Sequence, residues 1–121
     1  MTSLEKDCDR LLQIVVVERD KVCQRPGCNN PATAGHHVFG RSAMGTRYVP
    51  DACLGLCVED HDGWARTDRM YVLNVLCIKI GVKRFREIGE MSKKVCRFRA
   101  AEFREIRQQL RMMIKGVGVG R

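Results

Sequence analysis

The residues able to do chemistry are concentrated in one stretch of the chain. All three histidines, His36, His37 and His61, fall between residues 22 and 66, together with Cys23, Cys28, Cys53 and Cys57. Cys23-Gln-Arg-Pro-Gly-Cys28 places two thiols on either side of a Pro-Gly turn, a knuckle that can aim two thiolates at one ion. Cys53-Leu-Gly-Leu-Cys57-Val-Glu-Asp-His61 supplies a second half-site running into a helix start, which would complete a tetrahedral zinc site. Cys57 lacks a second cysteine two residues on and is the weaker half of this pattern. Cys8, Cys77 and Cys96 fall in stretches of helical pattern and read as small buried hydrophobes. A neutral imidazole titrates near neutrality, so it can take a proton from water or ligate a divalent cation. Neighbouring residues on a strand point to opposite faces, so His36 and His37 could serve one site only from a turn or a distorted hairpin.

The elements that must position these groups follow from periodicity. At 121 residues the chain is one domain, with residues 20–66 as its metal-organised core and 67–115 as a helical part. Residues 22–66 lack periodicity, and a structureless stretch of that length is improbable unless a metal organises it. Residues 4–19 read as a helix, opened by Thr2 and Glu5 at capping-box spacing and striped by Leu4, Cys8, Leu11 and Val15. The β-branched run 14–17 predicts that this helix ends early. Thr67 is expected to cap a helix reaching residue 80, with Gly81 as its stop. That helix is apolar nearly all round and reads as the core helix. A short helix over 83–91 follows. A last one over 96–115 carries Phe103, Ile106, Leu110 and Met113 on one face, and residues 116–121 are expected to fray. The fold class is α+β, mostly helical.

Composition limits the partners. The net charge is +8, and residues 82–115 hold 11 Lys or Arg against 4 Glu, an excess that favours a polyanion such as nucleic acid. The longest apolar stretch, 70–80, is interrupted by Asn74 and Lys79, short of the ~20 apolar residues a membrane helix needs. The opening MTSLEKDCDR has no basic start followed by an apolar core, so a cytoplasmic location is expected. Seven cysteines cannot all pair within one chain, and in a reducing compartment they read as ligands or core residues.

Ala34-Gly35-His36-His37-Val38-Phe39-Gly40-Arg41-Ser42 and Leu56-Cys57-Val58-Glu59-Asp60-His61-Asp62-Gly63-Trp64-Ala65 resemble the HNH (ββα-metal) endonucleases, most closely the zinc-containing phage and prophage type. The resemblance spans roughly residues 20–66 and continues weakly through Gly81-Val82-Lys83-Arg84-Phe85 and the terminal helix. It implies a zinc-knuckle, treble-clef-like core with an N-terminal helix and C-terminal helices. It also implies that His36 and His61 hold a catalytic divalent cation (Mg²⁺, or Mn²⁺ or Ni²⁺), with His37 as general base. Cys23, Cys28 and Cys57 would hold structural zinc, and the family's fourth ligand position falls on Asp60. The family's middle asparagine, which braces the loop behind the base, falls on Ala52. A further cation-ligand position falls on Ala65.

DNA would then be held mainly through phosphates, with Arg41, Arg47, Arg84, Arg99 and Arg107 as contacts, and a homodimer is one way to cut both strands. The residues leave two other readings open. In a non-catalytic zinc-binding DNA module, His61, four residues from Cys57 on one helical face, would complete a Cys₃His site. In a protein-interaction adaptor, the basic C-terminal helix would dock on an acidic partner.

Overall fold

The computed structural model describes the backbone of residues 1–119 and the side chains of residues 1–114. Its class is α+β and mostly helical. Helix α1 (Ser3–Asp20) leads into strand β1 (Ala34–His37), and a 3₁₀ turn (Pro50–Ala52) precedes strand β2 (Cys53–Leu56). Helices α2 (Val58–Asp62), α3 (Trp64–Thr67), α4 (Arg69–Ile80), α5 (Val82–Lys93) and α6 (Ala100–Val119) follow. The two strands pair antiparallel, with Gly35 opposite Gly55, His36 opposite Leu54 and His37 opposite Cys53. Among the described residues no helix is long and apolar enough to cross a membrane. Helix α6 continues through Val119 rather than ending at 115 with a frayed tail, and residues 120–121 lie outside the described residues.

Helix α1 starts where the sequence indicated. The Thr2 hydroxyl accepts from the Glu5 amide at 3.2 Å, capping an otherwise orphaned donor. The β-branched run does not end the helix early, because Val15 and Val16 are buried and packing outweighs the small propensity cost. Cys8, Leu11 and Leu12 are buried beside them. Helix α1 packs lengthwise on α6, where Phe103 and Leu110 are buried, and it also lies against both strands.

The core role expected of the helix before Gly81 passes to α1. Of α4 only Val72 and Leu76 are buried, while Met70 is 70% and Ile78 84% exposed. A helix lying on one side of a two-stranded hairpin can cover only one of its own faces, whatever its composition. Thr67 does not cap α4. Its hydroxyl donates to the Gly63 carbonyl as the last residue of α3, and Asp68 precedes α4. Cys96 lies in the connection before α6, which begins at Ala100.

Candidate functional site

Residues 23–28 form the knuckle the sequence suggested. Pro26 and Gly27 occupy the centre of a turn closed by the Cys28 amide donating to the Arg25 carbonyl at 3.0 Å. Gly27 sits at φ 85°, a conformation that costs a side-chain-bearing residue and not glycine. The turn brings Cys28 Sγ to 4.0 Å from Cys57 Sγ at the start of α2. Asp60, one turn along α2, places Oδ2 at 3.2 Å from Cys23 Sγ and 3.4 Å from Cys57 Sγ. The four donor atoms all lie within 4.8 Å of one another, the one cluster of three or more such ligands among the described residues. Ligands about 2.3 Å from a tetrahedral zinc stand about 3.8 Å apart, so the cluster fits a metal ion such as zinc with little movement.

The electrostatics agree with that donor set. Burial raises the Asp60 carboxyl, but hydrogen bonds from Arg25 and the three cysteines outweigh it and hold the pKa at about 2. Asp60 is therefore an anion, as a ligand must be. Its second oxygen, Oδ1, accepts from Arg25 at 2.8 Å, and the Arg25 guanidinium lies over the Trp64 ring. Burial and the neighbouring carboxylate raise the Cys23 thiol to about 12; a cation held by the cluster would favour the thiolate instead. His61, adjacent to Asp60, is not among the four clustered ligands, and its ring meets His36 instead. Cys53 also stays outside the cluster: it is fully buried against α1 and donates to the Val49 carbonyl at 3.8 Å. Cys8 is buried as expected and donates to the Phe103 carbonyl at 3.3 Å. No cysteine is paired with another.

The histidines form a second group. The His36 ring on β1 meets the His61 ring on α2 edge to face, with centroids 5.4 Å apart. Burial, then the charges of His61, His37 and Arg69, push the His36 pKa down to about 4, so it is a neutral potential ligand at pH 7. His37 lies at the end of β1 in regular pairing, not in the distorted hairpin expected for it. The chain turns only after it, where the Gly40 amide donates to the His37 carbonyl at 3.0 Å. Its side chain consequently diverges from His36, and Nε2 meets the Arg47 carbonyl at 3.1 Å. A carbonyl can only accept, so this contact fixes the proton on Nε2 and leaves Nδ1 with a free lone pair. Burial lowers the His37 pKa despite the opposing effect of that carbonyl. His37 and His61 both border a cleft of about 450 Å³ against Asp9 and Arg41.

Most of the basic residues expected to meet phosphates already hold carboxylates. Asp9 of α1 bridges Arg47 at 2.7 Å and Arg41 at 3.1 Å. Burial raises the Asp9 carboxyl, but the two guanidiniums outweigh it and hold its pKa below the usual range. Arg84 pairs with Asp51 at 3.1 Å and Glu87 at 3.2 Å, and Arg107 pairs with Asp7 at 3.2 Å. The Arg99 side chain is exposed.

Two positioning contacts escape sequence reasoning. Gln13 of α1 reaches the free edge of β1, accepting from the Gly35 amide at 2.6 Å and donating to the Gly35 carbonyl at 3.0 Å. The fully buried Asp20 carboxylate accepts from Arg19 at 2.8 Å, Lys79 at 3.0 Å and the Gly55 amide at 2.8 Å. It ties the end of α1 to β2 and α4. Neither residue belongs to a recognisable motif, since both gain meaning only from partners distant in sequence. Compared with models of protein families, with characterised proteins and with solved structures, the chain matches none.

Proposed function

We propose that the chain is a metal-dependent DNA endonuclease of the HNH kind, in which His37 is the general base and His36 and His61 hold the catalytic divalent cation. The observation that carries this reading is the meeting of His36 and His61 from a strand and a helix, with His37 diverging from His36 on the strand but bordering one cleft with each of them. A purely structural metal site has no need of that second group. On this reading Cys23, Cys28, Cys57 and Asp60 hold structural zinc, and β1, β2 and α2 correspond to the zinc-knuckle ββα-metal core.

The chain's own groups supply the proton handling. His37 Nδ1 takes a proton from the attacking water, while Nε2–H stays on the Arg47 carbonyl and fixes the ring. That carbonyl does the bracing that the family's asparagine would do, so Ala52 is compatible with an oriented base. A divalent cation bound by His36 and His61 would supply charge relief at the scissile phosphate and the leaving oxygen. Two imidazole donors suit Mn²⁺, Ni²⁺ or Zn²⁺ better than Mg²⁺, which favours oxygen ligands. The reducing interior of a cell suits the free thiols, and phosphate contacts would make DNA binding strongly salt-dependent.

The test is plasmid nicking by zinc-loaded protein freed of other metals, with Mg²⁺, Mn²⁺ or Ni²⁺ added back, beside His37→Ala. Metal-dependent nicking that falls by about 10²-fold or more in the variant is expected, the usual contribution of a positioned base. Wild-type protein that holds zinc and binds DNA but nicks with no metal would instead mark a non-catalytic zinc module.

A further inference from the structure

The arginines near the histidines are of two kinds. Arg41 and Arg47 are held by the Asp9 carboxylate, and Arg47 is mostly buried there. A second cleft, of about 280 Å³, is lined by His36, His37, Arg66 and Arg69 and by no carboxylate. Arg66 belongs to α3 and Arg69 opens α4, so both are carried by the segment that follows His61 directly. Both are exposed, and among the described residues neither guanidinium makes a hydrogen bond or an ion pair. Arg69 is close enough to His36 for its charge to act on that ring.

We propose that Arg66 and Arg69 form the phosphate-binding site that holds the DNA backbone against His36 and His37, while Arg41 and Arg47 stay on Asp9 as structural pairs. The inference rests on the nuclease reading and supplies its substrate contact. A guanidinium fork matches phosphate oxygens bidentately. An unpartnered arginine gives up only hydration to make that contact, whereas Arg41 and Arg47 would have to leave a shared carboxylate. A cleft with two cations and no anion also attracts a polyanion more strongly than the neighbouring one, where Asp9 cancels part of the charge.

The experiment is fluorescence anisotropy of a short labelled DNA duplex with the zinc-loaded full chain, titrated with salt. Each phosphate contact contributes about 0.9 to the slope of log affinity against log salt. The double variant Arg66→Ala/Arg69→Ala is expected to lose about 1.8 of that slope and to bind at least about tenfold more weakly at physiological salt. Arg66→Lys/Arg69→Lys, which keeps both charges, is expected to retain most of the slope. A double alanine variant with the wild-type slope, where Arg41→Ala or Arg47→Ala loses it, overturns this site and leaves the nuclease reading standing. Wild-type protein that fails to bind the duplex overturns both.

Discussion

Replacing Gln13 tests whether the N-terminal helix sets the geometry of the histidine strand. In an antiparallel pair, hydrogen bonds to the partner come from every second residue. The Val38 amide bonds to the Ala52 carbonyl, so in that register the peptide groups of Gly35 face away from β2. Gln13 satisfies both of them, acting as a one-residue third strand. It can do so because α1 lies close: a Cβ on Gly35 would come within 3.1 Å of Val16. Gln13→Leu keeps the side chain's bulk and deletes both hydrogen bonds. A buried backbone group left unpaired costs about 1–3 kcal/mol. With Gly35 buried and Gln13 itself partly exposed, the pair should cost about 2–4 kcal/mol, a large share of the roughly 5–15 kcal/mol typical of a domain.

Gln13→Glu keeps an acceptor for the Gly35 amide but sets a carboxylate against the Gly35 carbonyl, so it should recover at most about half of that loss. Urea denaturation of zinc-saturated protein measures the cost, and amide hydrogen exchange at Gly35 reports the edge directly. His36 is the next residue on the strand, so on the nuclease reading nicking should also fall, by up to about 10²-fold for a displacement near 1 Å. Gln13→Leu protein within about 0.5 kcal/mol of wild type, with Gly35 exchange unchanged, would refute the reasoning.

Two further outcomes follow from the clusters. Cys57→Ala should lose bound zinc and much of its thermal stability, whereas His61→Ala should keep one zinc per chain, since Asp60 and not His61 stands with the cysteines; metal analysis after gel filtration decides it. Asp20→Ala should destabilise by about 3 kcal/mol, because it leaves Arg19 and Lys79 without their shared, fully buried carboxylate. Burial raises the Asp20 carboxyl, but hydrogen bonds from Arg19, the Gly55 amide and Lys79 outweigh it and depress its pKa. Its contribution is therefore fully present above the unfolded value near ~3.9 and is lost as the pH falls through the lower folded value. The acid limb of the wild-type stability profile should be correspondingly steeper than that of Asp20→Ala in paired denaturation curves.

Local patterns in the sequence determined the local features of this protein. The Thr2 cap, the Pro26-Gly27 turn between two cysteines, the break at Gly81 and the apolar stripe of α6 through Phe103, Ile106 and Leu110 depend on residues a few positions apart, and each appears in the structure, whereas Met113 at the end of that stripe is exposed. The meeting of Cys23 and Cys28 with Cys57 was also legible, because thiols at such spacings have few other uses in an irregular segment. Only the tertiary structure decided what long-range packing controls. It chose α1 over the more apolar α4 as the buried helix, since burial depends on which faces the hairpin and α6 can cover. It gave the fourth position of the cysteine cluster to Asp60 and turned His61 to His36, a choice set by the rotation of α2. It also spent Arg41, Arg47, Arg84 and Arg107 on carboxylates and left Arg66 and Arg69 open beside the histidines. Charge is a property of composition, but whether a charge is neutralised depends on which side chain the fold brings within about 4 Å of it.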